Sequence, residues 1–161
     1  MLEEAFRKAA SPVIEHRGNT VHLYDEIAVP THCTLSLQWE GTDSEWRQGI
    51  FLGSLSPKSG TQLRVGGVER PGFFLWEDTC PVEVLLTVRA PQGSLLVYNV
   101  WDTGDGRTQS QLQGAGMLVE ESEEGRFRRY RCNDGHLEST FTHLTFSLRV
   151  VPATDDEGSA T

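Results

Sequence analysis

The sequence predicts an all-β protein: an antiparallel β-sandwich of jelly-roll or Greek-key type, with about ten strands and one short N-terminal helix. Three observations predict it. Apolar and polar residues alternate along most of the chain after position 19. Turn residues such as Gly, Pro and Asp-Gly pairs recur at short intervals. No helical pattern lies between the strands to cover a parallel sheet, so the strands pack as antiparallel layers or, as the alternative, close into a β-barrel.

The N-terminal segment predicts the one helix, over about residues 2–10. Leu2 and Phe6 lie at helical spacing, and the Ser11-Pro12 pair ends the pattern. A helix this short is unstable alone. We therefore expect its apolar side to pack against the body of the protein or against a partner.

Two segments carry the clearest strand pattern. Residues 34–39 alternate strictly between apolar and polar side chains. Residues 140–150 do the same, which places His143 on the polar, solvent-facing side. The turn Pro91-Gln92-Gly93 predicts a hairpin between the strands on its two sides. Residues 82–88 are apolar on one face and residues 94–101 on both faces, which predicts two further strands, the second of them covered on both sides. Weaker patterns predict strands at 20–29, 49–55, 62–68, 72–76, 116–121 and 126–132.

The chain of 161 residues is the length of one domain. We expect a single domain at 1–151, followed by a flexible acidic tail at 152–161. A chain of this size buries enough apolar surface to fold without a metal, so no cofactor is required for folding. The three cysteines are odd in number and lack CxxC spacing, which predicts reduced thiols rather than a disulfide framework.

Charge and hydropathy argue against several kinds of partner. The net charge of -9 at pH 7 repels nucleic acid and anionic lipid, so we expect neither as a partner. The most apolar stretch, around 82–100, is interrupted by charged residues, proline and glycine, and does not predict a membrane span. The acidic N-terminus differs from the basic start of a signal peptide, which predicts a cytoplasmic protein.

One basic segment is matched by an acidic one. Four arginines between positions 126 and 131 face four glutamates between positions 120 and 124 across a predicted turn. This symmetry predicts a hairpin with cross-strand ion pairs rather than a polyanion site.

Two polar turns, at residues 101–106 and 132–136, follow strand-like runs and mark the candidate site. Their Asp-Gly sequences are explained by tight turns alone. If the strands before them lie side by side, however, their side chains converge at one end of the sandwich. We then expect Asp102, Asp105 and Asp134 to bind Ca²⁺, because clustered carboxylates suit a hard cation.

The same end is predicted to bind a polar ligand. Asn133 and Glu138 lie in or beside the second turn and supply further polar groups. Trp46 lies in a polar stretch and is the best candidate for an exposed aromatic ring that stacks on a ligand. The run at 95–102 resembles, over those residues alone, the strand that leads into the calcium loop of a C2 domain.

An enzyme is the main alternative, with a pocket between the sheets or inside a barrel. The carboxylates considered for acid-base chemistry are Asp25, Asp102 and Asp134. The tyrosines considered as proton donors are Tyr24, Tyr98 and Tyr130.

Two smaller constellations have simpler explanations. Cys132 and His136 are close enough in sequence to suggest a thiol and its base, with an aspartate between them, but a buried thiol explains the cysteine better. His22, His32 and Cys33 offer soft metal ligands without the His-x-His spacing that places two imidazoles on one strand face.

The sequence contains no nucleophile elbow, phosphate loop or HExxH helix. The leading hypothesis is therefore a small non-enzymatic binding module that uses the loop-rich end of a β-sandwich, with a cation as an optional aid. The expected partner is another protein or a polar small ligand. Self-association as a homodimer is a third hypothesis.

Overall fold

The computed structural model describes residues 1–153, which form one α-helix, thirteen strands and one short 3-10 helix. The predicted tail lies outside the described residues from position 154 onward. In chain order the elements are α1 (Leu2–Ala9), β1 (Val13–His16), β2 (Asn19–His22), β3 (Asp25–Ala28), β4 (His32–Thr42), β5 (Arg47–Gly53), β6 (Gln62–Val65), β7 (Val68–Arg70), β8 (Gly72–Trp76), β9 (Glu83–Arg89), β10 (Ser94–Asp102), β11 (Gly116–Ser122), the 3-10 helix (Glu123–Gly125), β12 (Phe127–Asn133) and β13 (Leu144–Pro152).

The strands form two antiparallel sheets. The larger sheet has nine strands in the order β1-β2-β11-β12-β13-β4-β9-β6-β7, and the smaller has four in the order β3-β10-β5-β8. Within residues 1–153 neither sheet closes on itself, because each ends in an edge strand on both sides. The predicted β-sandwich is therefore confirmed, and the alternative barrel is not.

Apolar side chains from both sheets fill the space between them. In β4, Leu35 and Leu37 are fully buried and alternate with more exposed polar residues, as predicted. In β13, Leu144 and Phe146 are likewise buried. The strands β5 and β10 of the smaller sheet are buried along most of their length. Polar side chains therefore lie on the outer face of the larger sheet, at the strand ends and in the loops.

The helix α1 packs against the body of the protein, which is one of the two predicted arrangements. Its apolar side contributes to a second, smaller core formed by Leu2, Phe6, Ile14, Val21 and Phe141. Among the described residues, no helix combines the length and the apolar character that a membrane crossing requires.

The chain crosses from one sheet to the other at the turn of residues 91–93. Strand β9 pairs with β4 and β6 in the larger sheet, whereas β10 pairs with β3 and β5 in the smaller one. The predicted hairpin is therefore wrong. A tight turn reverses the chain, but it does not determine which strand becomes the hydrogen-bonded neighbour.

Two predicted strands are each divided in the structure. The segment 20–29 becomes β2 and β3, which lie in different sheets. The segment 62–68 becomes β6 and β7, with Gly66 and Gly67 between them at φ values of 55° and 82° that form a tight turn. Strand β1 had no predicted counterpart, because four residues are too few to show a period.

The hairpin of β11 and β12 carries the predicted ion pairs. Arg128 contacts Glu121 at 2.7 Å, and Arg131 contacts Glu120 at 2.9 Å. Arg129 instead reaches across β13 to Glu40 on β4, at 2.8 Å. The basic segment is thus largely neutralised within the fold.

Candidate functional site

Three loops meet at one end of the sandwich, which we call the loop-rich end. They join β4 to β5 (residues 43–46), β10 to β11 (103–115) and β12 to β13 (134–143). The strands before the two polar turns lie in opposite sheets, but they approach each other here. Asn99 Nδ2 on β10 donates a hydrogen bond to the carbonyl of Asn133 on β12, at 3.0 Å.

Asn133 holds the loop between β12 and β13 in place. Its buried Oδ1 accepts hydrogen bonds from the backbone N–H groups of Thr140 at 3.1 Å and Phe141 at 3.2 Å. Its Nδ2 donates to the carbonyls of Gly114 at 2.8 Å and His136 at 3.1 Å. The amide therefore makes four hydrogen bonds, and the loop folds back over the end of β12.

Asp134 is a fully buried carboxylate at the centre of the loop-rich end. Its Oδ2 accepts hydrogen bonds from Ser44 Oγ at 2.7 Å and Gln48 Nε2 at 2.9 Å. Its Oδ1 accepts one from the backbone N–H of His136 at 2.9 Å. Burial alone would raise the pKa of Asp134, but the hydrogen bonds from the His136 backbone, from Ser44 and from the His136 ring outweigh it and lower the pKa. The ionised carboxylate links the β4–β5 loop to the β12–β13 loop.

The ring of His136 lies between two carboxylates. Its Nδ1 is 2.6 Å from Asp134 Oδ1, and its Nε2 is 3.1 Å from Glu45 Oε1. Burial alone lowers the pKa of His136, but the hydrogen bonds and charges of the two carboxylates raise it above the ordinary value of 6.5. Trp46 stacks on this ring, with centroids 3.8 Å apart and an interplanar angle of 23°. The contact fixes the position of the indole.

His143 lies on the other side of Asp134. Its Nδ1 accepts a hydrogen bond from the backbone N–H of Asp134 at 3.0 Å and lies 3.2 Å from Asp134 Oδ1. The side chain is buried, so its predicted place on the solvent-facing side is wrong. The reason is that β13 begins only at Leu144, and residue 143 still belongs to the folded-back loop.

Asp134, His136 and His143 each place one ligand atom within 4.8 Å of the other two. Over residues 1–153, no other group of three or more His, Cys, Asp or Glu side chains does so. The set supplies two imidazole nitrogens and one carboxylate oxygen, which is a donor set that divalent transition metals bind.

The predicted calcium ligands are not gathered into one group. Asp102 Oδ1 accepts hydrogen bonds from the N–H groups of Gly104 at 2.8 Å and Gly106 at 3.2 Å. Asp105 Oδ1 accepts one from the N–H of Arg107 at 3.0 Å. Each of these two carboxylates therefore caps its own turn, as turn chemistry alone predicts. The calcium site stays a prediction.

The structure brings three of the predicted site residues to one cluster. Trp46, Asn133 and Asp134 all contact His136, through stacking or hydrogen bonds. Glu138 is exposed on the same loop. The cluster is thus formed by the second polar turn and the β4–β5 loop, without the first polar turn.

The two smaller constellations are not assembled as metal or thiol sites. Cys132 lies in the main core, where burial raises the pKa of its thiol well above the ordinary value. The ring nitrogens of His136 face two carboxylates instead. His22 on β2 is separated from His32 and Cys33 on β4 by β11, β12 and β13.

Two residues of the enzyme hypothesis are in contact with each other. The hydroxyl of Tyr130 donates to Asp25 Oδ2 at 2.7 Å, and Arg128 completes the cluster with an ion pair to the same oxygen at 2.9 Å. Burial, and then the charge of Asp25, raise the pKa of Tyr130 well above its ordinary value. The phenol therefore keeps its proton, and the cluster ties β3 of one sheet to β12 of the other.

No protein-family profile and no curated protein matches this chain. Among solved structures, the chain is similar to a lectin from Chromobacterium violaceum, determined in complex with alpha-methyl-fucoside. The sequence identity is 10%, the similarity covers 80% of this chain and 96% of the lectin, and the TM-score is 0.44. A similarity of this degree carries no argument about the ligand of this chain.

Proposed function

We propose that this chain is a non-enzymatic binding domain whose loop-rich end binds a polyhydroxylated ligand of the sugar class. One observation carries the proposal. The indole of Trp46 is held by stacking on His136, directly beside the exposed carboxylate of Glu45. An aromatic ring next to exposed hydrogen-bonding groups can bind a molecule that has both C–H faces and hydroxyl groups.

The two kinds of contact come from neighbouring side chains. Trp46 is half-buried, because His136 covers one face of its ring. The side chain of Glu45 is 75% exposed and that of His136 is 32% exposed. A carboxylate accepts hydrogen bonds from ligand hydroxyls, and such charge-assisted hydrogen bonds are stronger than neutral ones. The indole surface adds apolar contact at an otherwise polar end.

The buried network beneath these side chains reduces the cost of binding. Asp134 is hydrogen-bonded to Ser44 and His136, which fixes both side chains. Ser44 lies on the β4–β5 loop, and that loop also carries Trp46. Side chains that are already ordered lose little conformational entropy when a ligand binds. The loop-rich end is therefore preorganised in the way that a binding site on a rigid scaffold requires.

The experiment is a titration of the ¹⁵N-labelled chain with glucose, galactose, mannose, fucose and N-acetylglucosamine, followed by ¹H–¹⁵N correlation spectra. We expect at least one sugar to shift the indole N–H resonance of Trp46 and the amides of residues 43–46 and 134–143, with an affinity in the millimolar range. The titration is run in the presence of a chelator, so that it does not depend on metal.

Two variants make the test specific. Trp46→Ala is expected to abolish the shifts, whereas Phe74→Ala, which removes an exposed aromatic ring from β8, is expected to leave them unchanged. The proposal fails if none of the five sugars produces saturable shifts, or if Trp46→Ala binds as well as the unaltered chain.

A second candidate is a protein partner. Leu112 and Leu137 are exposed, one on each of the two longer loops of the loop-rich end. Exposed leucines on neighbouring loops are a feature of protein-binding surfaces. Light scattering at increasing concentration tests whether this partner is a second copy of the chain. Leu137→Ser is expected to reduce any dimer. A monomer at every concentration would count against the homodimer.

A further inference from the structure

We propose that Asp134, His136 and His143 form a binding site for a divalent transition metal ion such as Zn²⁺. The inference concerns a different chemistry from sugar binding and does not depend on it. It rests on the positions of the ligand atoms, on the groups that support them and on the access from solvent.

Two of the three pairs of ligand atoms are close to the spacing that a metal needs, and the third pair lies within 4.8 Å. Tetrahedral ligands about 2.0 Å from a metal lie about 3.3 Å from one another. Asp134 Oδ1 and His143 Nδ1 are already 3.2 Å apart. Asp134 Oδ1 and His136 Nδ1 are 2.6 Å apart, which is a hydrogen-bond distance, so this pair must open by less than 1 Å.

The donor atoms favour a transition metal over calcium. Two imidazole nitrogens and one carboxylate oxygen match the ligands of zinc sites that keep a position open for water or another molecule. Calcium takes six to eight oxygen ligands, and this cluster offers far fewer. The site therefore shares only Asp134 with the predicted calcium site and takes a different ion.

The groups around two of the three side chains, His136 and Asp134, resemble the outer contacts of known metal sites. A metal-bound histidine usually donates its second ring N–H to a carboxylate, and His136 Nε2 faces Glu45 Oε1 at 3.1 Å. A metal-bound carboxylate is usually hydrogen-bonded as well, and Asp134 Oδ2 accepts from Ser44 and Gln48. Both ligands are therefore held in orientation before a metal arrives.

Gln48 supplies a separate observation at the same place. Its side chain is almost fully buried, and its Nε2 donates to Asp134. Its Oε1 has no hydrogen-bond partner among the described residues. Native proteins rarely leave a buried polar atom unpaired, so this oxygen beside the cluster remains available to a bound water.

Metal binding exchanges protons and hydrogen bonds in a balanced way. The proton between His136 Nδ1 and Asp134 Oδ1 leaves to solvent, and both atoms then bind the metal. The remaining ring proton of His136 stays on Nε2 and is donated to Glu45. His143 Nδ1 gives up the hydrogen bond from the backbone N–H of Asp134, a cost that the metal–nitrogen bond must exceed.

The site is reachable from solvent on one side. Asp134 is fully buried and His143 nearly so, but about a third of the His136 side chain is exposed. A metal ion can therefore enter past His136 and Glu45, while the inner ligands stay protected. The net charge of -9 also favours the approach of a cation.

The test uses the full chain, stripped with a chelator, exchanged into chelator-free buffer and titrated with ZnCl₂ by isothermal titration calorimetry. We expect one Zn²⁺ per chain. His136→Ala and His143→Ala are each expected to lose this one-to-one binding. Glu45→Gln is expected to weaken it by about tenfold or more. His32→Ala, which removes an exposed histidine at the opposite end of β4, is expected to bind as the unaltered chain does.

Absence of one-to-one Zn²⁺ binding by the unaltered chain overturns the proposal, and so does undiminished binding by His136→Ala. Circular dichroism shows whether His143→Ala is folded. If it is unfolded, the test is instead the ¹⁵N resonance of His143 Nδ1 in the unaltered chain. A resonance that does not shift at saturating Zn²⁺ overturns the proposal. The sugar titration contains a chelator and the Zn²⁺ titration contains no sugar. Sugar binding and metal binding can therefore fail independently of each other.

Discussion

Tyr130 and Asp25 lie in opposite sheets and are joined by a hydrogen bond of 2.7 Å from the tyrosine hydroxyl to the carboxylate. Arg128 contacts the same carboxylate oxygen, so a buried ion pair and a phenol share one acceptor. This cluster and the network around Asp134 are two separate polar links between otherwise apolar layers. Both can be tested by replacing single atoms.

Tyr130→Phe is expected to lower the free energy of unfolding by about 2 kcal/mol, because it removes a buried hydrogen bond to a charged acceptor. The matched control is Tyr98→Phe, which removes the hydroxyl of a buried tyrosine that stacks on Phe51. Its effect is expected to stay below about 1 kcal/mol. Urea unfolding of both variants gives the comparison, and equal losses would show that the Asp25 contact contributes nothing specific.

Asp134→Asn is expected to lower the free energy of unfolding by about 3 kcal/mol. The amide keeps the shape of the carboxylate but has one acceptor oxygen, so the donors from Ser44, Gln48 and His136 can no longer all be satisfied. Asp105→Asn is the control, because its carboxylate is exposed and bonds only within its own turn. A loss of less than about 1 kcal/mol in Asp134→Asn would contradict the central role given to this carboxylate.

Gly114→Ala is expected to destabilise the chain by about 2 kcal/mol or more and to disturb the loop-rich end. A Cβ at position 114 would lie 1.9 Å from the carbonyl oxygen of His136, and backbone atoms cannot move aside as side chains can. Gly41→Ala on β4 is the control, since no heavy atom lies within 4 Å of its added Cβ. Thermal melting and the amide spectrum of residues 134–143 measure both effects, and a neutral Gly114→Ala would show that the close approach is absent.

His22 is expected to reduce stability as the pH falls. Burial lowers its pKa below 6.5, and Arg128 lowers it further, although Asp25 raises it. A histidine with a lowered folded-state pKa takes up its proton more readily in the unfolded chain. The contribution of neutral His22 to the stability of the fold is therefore complete above pH 6.5. It is lost as the pH falls towards the pKa of His22 in the folded state.

His22→Gln should accordingly lose less stability than the unaltered chain between about pH 7.5 and pH 5. Urea unfolding at the two pH values measures this, with His32→Gln, which changes an exposed histidine, as the control. A midpoint for His22 at or above 6.5 in an NMR titration would contradict the expected sign.

The melting temperature in millimolar Ca²⁺ tests the calcium site predicted from the two turns. Asp102 and Asp105 already accept backbone hydrogen bonds within their own turn, and Asp134 lies in a separate cluster. A ligand that binds the folded state well above its dissociation constant would raise stability by a few kcal/mol. The predicted site therefore requires a clear rise of the melting temperature in Ca²⁺, and an unchanged melting temperature would contradict it.

Much of the fold could be predicted because local burial determines it. The alternation at 34–39 describes β4 correctly, since Leu35 and Leu37 face a core that both sheets share. Strand partners could not be predicted in the same way. The turn at 91–93 gives no sign that the chain changes sheets there, because that depends on contacts with β3, β4 and β5 far away in the sequence.

The candidate site could likewise be predicted only where its residues lie in a local sequence pattern. The turn chemistry of 132–136 pointed to Asn133 and Asp134, and a polar context pointed to Trp46. Ser44 was missed because it meets Asp134 across 90 positions of the chain, and no local pattern encodes such a contact. His143 was missed because a period of two, extended one residue too far, placed it outward. The Asp-x-His spacing at 134 and 136 was the one local signal that could have indicated the cluster.

The pairing of β4 with β13 has a consequence for how the protein is made. Trp39 lies opposite Phe146, so one of the two strands that flank β4 is synthesised long after β4 itself. Until then one flank of β4 has no partner, and the apolar side chains of the growing chain are open to chaperones and to aggregation. A truncation that removes β13 would therefore split the larger sheet rather than trim its edge.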